Sequence, residues 1–186
     1  DVITDTDGYG DFESKTKEIA SYTCTSILES RLSKSHSPDV ITMYITGIDT
    51  FGDISTTSRS DVNIIAVANT KTRQVLLVST PRDYYVPLSI SNGIPDKLTH
   101  AGIYGVNVSM DTLGMLYGID MDYYFRINFD GFKEVIDALD GVTVWSDNEF
   151  DAGGNHYVQG YNTLNGEQAL AFARERHSFA SGDRQR

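Results

Sequence analysis

Cysteine, proline, tryptophan and positive charge are all scarce in this sequence. A single cysteine, Cys24, among 186 residues excludes an internal disulfide and any cysteine-based metal site. Lysine and arginine together number 15 against 26 acidic residues, a formal net charge of −11. A protein that grips nucleic acid needs a basic face, so that class of partner is excluded. No apolar stretch approaches the length that crosses a bilayer, and no signal peptide is recognisable. The sequence opens abruptly at Asp1, which leaves room for an upstream anchor that has been removed. It has no internal repeat and no low-complexity tract. With 40% hydrophobic and 22% charged residues, it reads as one soluble globular domain with a single substantial core.

What positive charge there is falls in a few places. Of nine arginines, Arg59, Arg82, Arg174, Arg176, Arg184 and Arg186 lie in three short polar motifs. A locally positive pocket on an acidic protein selects one anionic group and repels other polyanions. The first two of these motifs flank the stretch that organises the chain, Ser58 to Asp83. Two apolar runs rich in β-branched residues, 62–69 and 75–80, have the length of strands. The polar Thr70-Lys71-Thr72 between them predicts an antiparallel hairpin. The start of the first strand then meets the end of the second, so Arg59, Asp61, Arg82 and Asp83 converge at one sheet edge. Four charges at the rim of an apolar sheet must pair with each other or bind something. A one-residue slip reverses every side chain, so the sequence leaves open which of the four share a face.

Elsewhere the periodicities are plain. Residues 1–12 are acidic and aperiodic; 13–32 has helical spacing at Ile19, Tyr22, Ile27 and Leu28; 33–38 reads as a Ser/Pro linker. Residues 40–48 form a β-rich run that places Asp49 just past a strand end, followed by a flexible loop at 50–58. A short strand is expected at 86–90, a turn at 92–96, and helical segments at 97–105 and 107–117, parted near Gly105. Residues 123–127, a helical face of Phe132, Val135, Ile136 and Leu139, the stop at Gly141 and a strand at 142–145 predict a βαβ unit on a parallel pair. Residues 149–161 read as an exposed loop or ribbon. The last helix starts at Asn165 with Gln168 as its capping partner and buries Ala169, Leu170, Phe172 and Ala173. The expected fold is α/β, a mixed central sheet sandwiched between helix layers.

Gly47-Ile48-Asp49, Ser58-Arg59-Ser60-Asp61, Pro81-Arg82-Asp83 and Arg174-Glu175-Arg176 occur in an order that resembles the LytR-CpsA-Psr family of bacterial cell-envelope proteins. So do Asp-Lys-Leu-Thr-His-Ala at 96–101, Asn-Phe-Asp-Gly-Phe at 128–132 and the run from Leu164 to Arg174. These motifs begin near Tyr44, which makes 39–186 the family-like catalytic domain and leaves 1–38 as an N-terminal helix and linker. The resemblance implies a phosphotransferase held by an N-terminal single-pass membrane anchor on the outside of a Gram-positive cell. Its implied partners are a polyprenyl-pyrophosphate-linked glycopolymer (capsular polysaccharide or wall teichoic acid) and a peptidoglycan acceptor. It assigns phosphate-gripping roles to Arg59, Arg82, Arg174 and Arg176, and Mg²⁺ or another divalent ion to Asp49 and Asp61. Asp61, Arg59 and Arg82 are the expected catalytic centre.

Elementary chemistry agrees with those assignments. Guanidinium groups grip phosphate oxygens bidentately, and magnesium needs only one or two carboxylates beside phosphate and water. Asp83 is read as the ion-pair partner that orients Arg82. Lys97, Asp183 and Arg186 fit the family pattern without an assigned role, and His100 is read as structural. Two other readings of the same residues are a lipid pyrophosphatase and a non-enzymatic regulatory domain that binds the lipid carrier.

Overall fold

The computed structural model describes residues 39–178. The expected helix at 13–32, its linker, Asp183 and Arg186 lie outside the described residues. Contacts divide the described chain into two compact units, 39–128 and 129–178.

In the first unit β1 (Val40–Ile48), β2 (Ser60–Asn69), β3 (Gln74–Ser79) and β6 (Tyr123–Ile127) form one sheet in the order β3-β2-β1-β6. The hairpin is as expected. β2 and β3 pair antiparallel from Ile64–Ser79 to Asn69–Gln74. Asn69 Oδ1 accepts from the backbone N–H groups of Lys71 and Thr72 at 3.0 Å each, the local side-chain bond that favours Asn at turns. β3 is the sheet's edge, and Val75, Leu76 and Leu77 on it are exposed; the apolar run made a strand without being buried. β1 alternates as a half-buried strand should, with Thr42, Tyr44, Thr46 and Ile48 turned inward.

Short strands β4 (Tyr85–Pro87) and β5 (Pro95–Lys97) pair with each other, followed by a 3-10 helix (Leu98–Tyr104) and α1 (Val106–Tyr117). Gly105, at φ 112°, separates the two helices where the sequence expected a break. Leu98, Ala101, Met110 and Leu113 pack with Tyr44, Ile65, Val86, Leu88, Met121 and Tyr124 into one core. Burying ten such side chains, at roughly 1.5–3 kcal/mol for each large one, is what holds sheet to helices.

The second unit holds α2 (Phe129–Ala138), β7 (Val142–Ser146), β8 (Phe150–Ala152), β9 (Asn155–Tyr157), β10 (Gly160–Leu164) and α3 (Gly166–Arg174). α2 stops as expected, with Asp140 at φ 60° and Gly141 at φ 94°. The parallel pair expected of β6 and β7 does not form. β6 runs parallel to β1, whereas β7 pairs antiparallel with β10. Helical periodicity reveals a strand-helix-strand order but not the pairing partner, which the returning β10 decides. The Gly- and Asn-rich 149–161 stretch is likewise no mere loop, because Phe150, Ala152 and Tyr157 are core residues clustered with Phe172 of α3, the Phe150 and Tyr157 rings stacked on each other. α3 has the expected capping box: Asn165 Oδ1 accepts from Gln168 N at 2.9 Å, and Gln168 Oε1 accepts from Asn165 N at 3.1 Å. It buries Ala169, Leu170 and Phe172, but Ala173 faces solvent. With a mixed sheet and helices, the fold class is the α/β expected.

Candidate functional site

β1 and β6 end, β2 begins and β3 ends at one side of the four-stranded sheet. Ligand sites of α/β sheets favour such strand ends. The hairpin register that pairs Ile64 with Ser79 continues past the ladder: Thr80 N donates to Asn63 O at 2.8 Å. Two steps further it sets Asp61 opposite Arg82, and there Arg82 Nη1 donates to Asp61 Oδ1 at 2.8 Å. The open question of facing is thus answered for this pair, whose side chains meet.

A second irregularity aims Asp61. β1 and β2 are in register up to Gly47–Val62, then shift to Ile48–Ser60, so Asp61 is the extra residue of a β-bulge with no partner on β1. Bulges bend a strand and re-aim one side chain. Asp61 is only 12% exposed and Arg82 37%. The hydrogen bond to Asp61, with its charge, holds the Arg82 guanidinium above its usual pKa. Asp83 meets Arg82 Nε at 3.6 Å and accepts from Lys97 Nζ at 2.7 Å. The Lys97 hydrogen bond draws the Asp83 carboxyl below its usual range. Asp83 thus lies between Arg82 and Lys97, with the closer contact to Lys97. His100 Nδ1 sits 2.9 Å from Asp96, a local i, i+4 pair consistent with its structural reading.

Asp49 and Arg59 are the residues immediately beyond the end of the β1–β2 ladder, one on each strand. Both are exposed, and neither has an ion-pair partner among the described residues. Two carboxylates, one of them with only Oδ1 engaged, suit a hard cation that takes its remaining ligands from phosphate and water. No group of three or more acidic, histidine or cysteine side chains among the described residues could hold a metal unaided.

The 3-10 helix braces this end of the sheet from below. Thr99 N donates to Arg82 O at 2.9 Å, and Ser60 Oγ reaches Thr99 O at 3.5 Å. Gly102 passes so close to the strand entry that a Cβ there would lie 2.6 Å from Ser58 O and 2.7 Å from Ser60 N. Under it, Tyr44 donates its hydroxyl to Asn63 Oδ1 at 2.6 Å, while the Thr46, Thr99 and Ser109 hydroxyls are buried with no partner among the described residues.

Arg126, which the sequence reading passed over, belongs to the same strand ends. It pairs in parallel register with Thr46 and donates through Nη2 to Thr56 O at 2.5 Å. Asn128 Nδ2 donates to Gly52 O at 2.8 Å, so β6 ties down the loop at 50–58. Burial draws the Arg126 pKa down, and no carboxylate is paired with it among the described residues. The one signal for it in the sequence was an arginine inside an otherwise apolar strand.

In the second unit Arg174 occupies the last turn of α3, its guanidinium carbon 4.3 Å from the centre of the Phe129 ring. Arg176 lies beyond the helix, whose C-cap is the extended Glu175. Arg174 is thus the last residue on the helix and Arg176 lies past it, beyond extended backbone.

The model of the LytR_cpsA_psr family matches residues 4–186, a span that reaches into the N-terminal segment the motifs had left outside. The polyisoprenyl-teichoic acid–peptidoglycan teichoic acid transferase TagU of Bacillus mycoides (strain KBAB4) is 36% identical over 154 residues, covering 82% of this chain and 49% of the relative. The crystal structure of B. subtilis TagV superposes with a TM-score of 0.69 at 28% identity, over 79% of this chain and 60% of that one. The LytR-CPS2A-psr family protein TagT with bound octaprenyl pyrophosphate lipid does so with a TM-score of 0.63 at 31% identity, over 78% and 61%. The chain spans about half the length of the curated relatives it matches.

Proposed function

This chain belongs to the LytR_cpsA_psr family, and on that premise we propose that it carries the catalytic part of an extracellular phosphotransferase. The reaction moves a glycopolymer from a polyprenyl-pyrophosphate carrier to a peptidoglycan hydroxyl. Its relative TagU is named for such a transfer, and its relative TagT binds a polyprenyl pyrophosphate. The observation that carries the reading is the Asp61–Arg82 pair at 2.8 Å, set by hairpin register and a bulge at the strand ends where Arg59 is exposed.

In the reaction, the acceptor oxygen bonds to the phosphorus that carries the sugar, and the bridging P–O bond to the polyprenyl phosphate breaks. Polyprenyl phosphate leaves with the electron pair and takes up the proton that the acceptor hydroxyl gives up. Charge on the phosphoryl oxygens must be neutralised in a fixed geometry throughout. Arg82 is held for that by Asp61 and Asp83, with Arg59 as the second guanidinium. The family assignment of Arg174 and Arg176 to phosphate is retained as part of this proposal. Asp49 and Asp61 would hold a Mg²⁺ ion, which when bound offsets pyrophosphate charge. In the whole protein we propose a membrane anchor upstream of this domain; no helix among the described residues is long and apolar enough to span a bilayer.

The test is polymer transfer from a synthetic lipid-linked donor to peptidoglycan, measured for the wild type, Arg82→Gln and Asp61→Asn. The expected result is acceptor-linked product with the wild type and a loss of about 10²-fold in either variant. Polymer released into water instead of joined to acceptor would establish the pyrophosphatase reading. Lipid binding without turnover would establish the regulatory one.

A further inference from the structure

The β7–β10 ribbon has two faces of different chemistry. Val142, Val144 and Leu164 pack into the core, and Ser146 and Asn162 are buried beside them. On the opposite face Thr143 pairs with Thr163 and Trp145 with Tyr161, all four exposed. Trp145 is 55% and Tyr161 74% exposed. Aromatic side chains of that size, left in water as an adjacent pair, are the uncommon observation on a surface.

The pair is pinned. The rings meet edge to face with centroids 5.0 Å apart and planes at 81°. Trp145 Nε1 donates to Asp147 Oδ1 at 2.9 Å, which fixes the indole. Asp147 Oδ2 takes no hydrogen bond among the described residues, and the Thr143 and Thr163 hydroxyls lie 3.1 Å apart one step along the face. Rings held in place before binding lose little conformational freedom when a ligand arrives.

Charge decides what that ligand is. Residues 142–164 contain no lysine or arginine, while Asp147, Glu149 and Asp151 follow one another out of β7. An anionic polymer is repelled there. The ladder face carries no aliphatic side chain for an apolar helix to bury. Two ring planes near a right angle, with hydroxyls and a carboxylate oxygen beside them, match a pyranose. Its C–H face packs on one ring while its hydroxyls bond at the rim.

We propose that Trp145 and Tyr161 form a binding platform for a neutral glycan chain. As the acceptor strand's holding site, it rests on the transfer reading above only for the glycan's identity and not for binding itself.

Trp145 is the chain's single tryptophan, so intrinsic fluorescence reports on the platform directly. The full chain is titrated with N-acetylchitohexaose, a soluble neutral β-1,4 glycan, and in parallel with poly(glycerol phosphate). The expected result is a saturable fluorescence change with the neutral oligomer alone. Tyr161→Thr keeps a strand-forming residue but removes the ring, and should weaken binding about tenfold or more. Calorimetry on Trp145→Ala should show the same loss without relying on fluorescence, with circular dichroism confirming both folds. Arg82→Gln should bind the oligomer as the wild type does. No saturable change, equal binding of the anionic polymer, or wild-type affinity in a folded Tyr161→Thr would overturn the platform. Saturable binding in a protein that transfers nothing would instead overturn the transfer reading and leave the platform standing.

Discussion

Thr99 donates its backbone N–H to the carbonyl of Arg82 at 2.9 Å, so the 3-10 helix holds the guanidinium-bearing loop from its main chain. The same helix presses Gly102 against Ser58 and Ser60, the two neighbours of Arg59. Gly102→Ala must therefore push its Cβ into backbone, a clash that no rotamer change relieves. Overpacking of this kind costs about 1–3 kcal/mol. The expected outcome is a lower denaturation midpoint together with reduced turnover, because Arg59 and Arg82 shift with their supports. Unchanged turnover in a destabilised Gly102→Ala would show that the helix serves stability alone.

Asp61 and Arg82 should be strongly coupled. Removing Arg82 leaves Asp61 with little solvent and no partner, which costs about 1–3 kcal/mol; the figure is held low because Arg82 itself is partly exposed. Arg82→Gln and Asp61→Asn together should cost less in stability than the sum of the two single changes, whereas transfer should stay lost in all three. A double-mutant cycle by urea unfolding, beside turnover, separates the two roles. Additive stability changes would mean that the pair is no pair in solution.

Much of this was legible beforehand because it is local. A polar turn between two β-branched runs specifies a hairpin, and its register carries Asp61 to Arg82 whatever the rest of the fold does. The break at Gly105, the stop at Gly141 and the Asn165–Gln168 capping box are equally local. The partner of β7 was not legible, since pairing is chosen by a strand that arrives fourteen or more residues later and periodicity is blind to it. The bulge at Asp61 leaves no mark in composition. Arg126 was missed because its task is defined by a carbonyl 70 positions away, at Thr56. Nor did the exposed Trp145–Tyr161 face stand out, because alternation in a two-stranded ribbon says that one face is wet but not which chemistry gathers on it.

Arg126 ties β6 to the loop that joins Asp49 to Arg59. Arg126→Leu keeps the side chain's bulk and removes the hydrogen bond to Thr56 O. Amide exchange at 50–58 should speed up, while exchange in α1 should be unchanged. Protection of the loop equal to wild type would show that Asn128 and its bond to Gly52 suffice.

Alkaline pH should weaken the first unit through Tyr44. Burial raises its phenol pKa above the ordinary value, against smaller opposing contributions from nearby hydroxyls. In the unfolded chain the phenol ionises near its usual ~10. Between that value and the folded one, the unfolded chain has released its proton and the native protein has kept it. Stability from Tyr44 is thus complete below ~10 and is lost as pH rises through the folded value. The wild type should lose stability above ~10 more steeply than Tyr44→Phe, measured by urea unfolding across the range. Identical slopes would remove Tyr44 as the cause.

Metal affinity should depend on lipid. Asp61 gives Oδ1 to Arg82 and keeps Oδ2, while Asp49 stands exposed just past the β1–β2 ladder. Two carboxylates, one already sharing charge with a guanidinium, make a weak site by themselves. Magnesium typically completes its octahedron with phosphate oxygens and water, so a pyrophosphate held by Arg59 and Arg82 would supply what the protein lacks. Calorimetric titration of Mg²⁺ should therefore show little heat with the protein alone and a clear isotherm when a polyprenyl pyrophosphate analogue is present. By thermodynamic reciprocity the analogue should bind tighter with Mg²⁺, and by the same factor. Asp49→Asn keeps the size of the side chain, removes one charge and should abolish this coupling without changing the denaturation midpoint, since Asp49 is exposed and has no ion-pair partner among the described residues. Equal Mg²⁺ affinity with and without the analogue, or coupling that survives Asp49→Asn, would mean that the two aspartates serve the fold and not the phosphate.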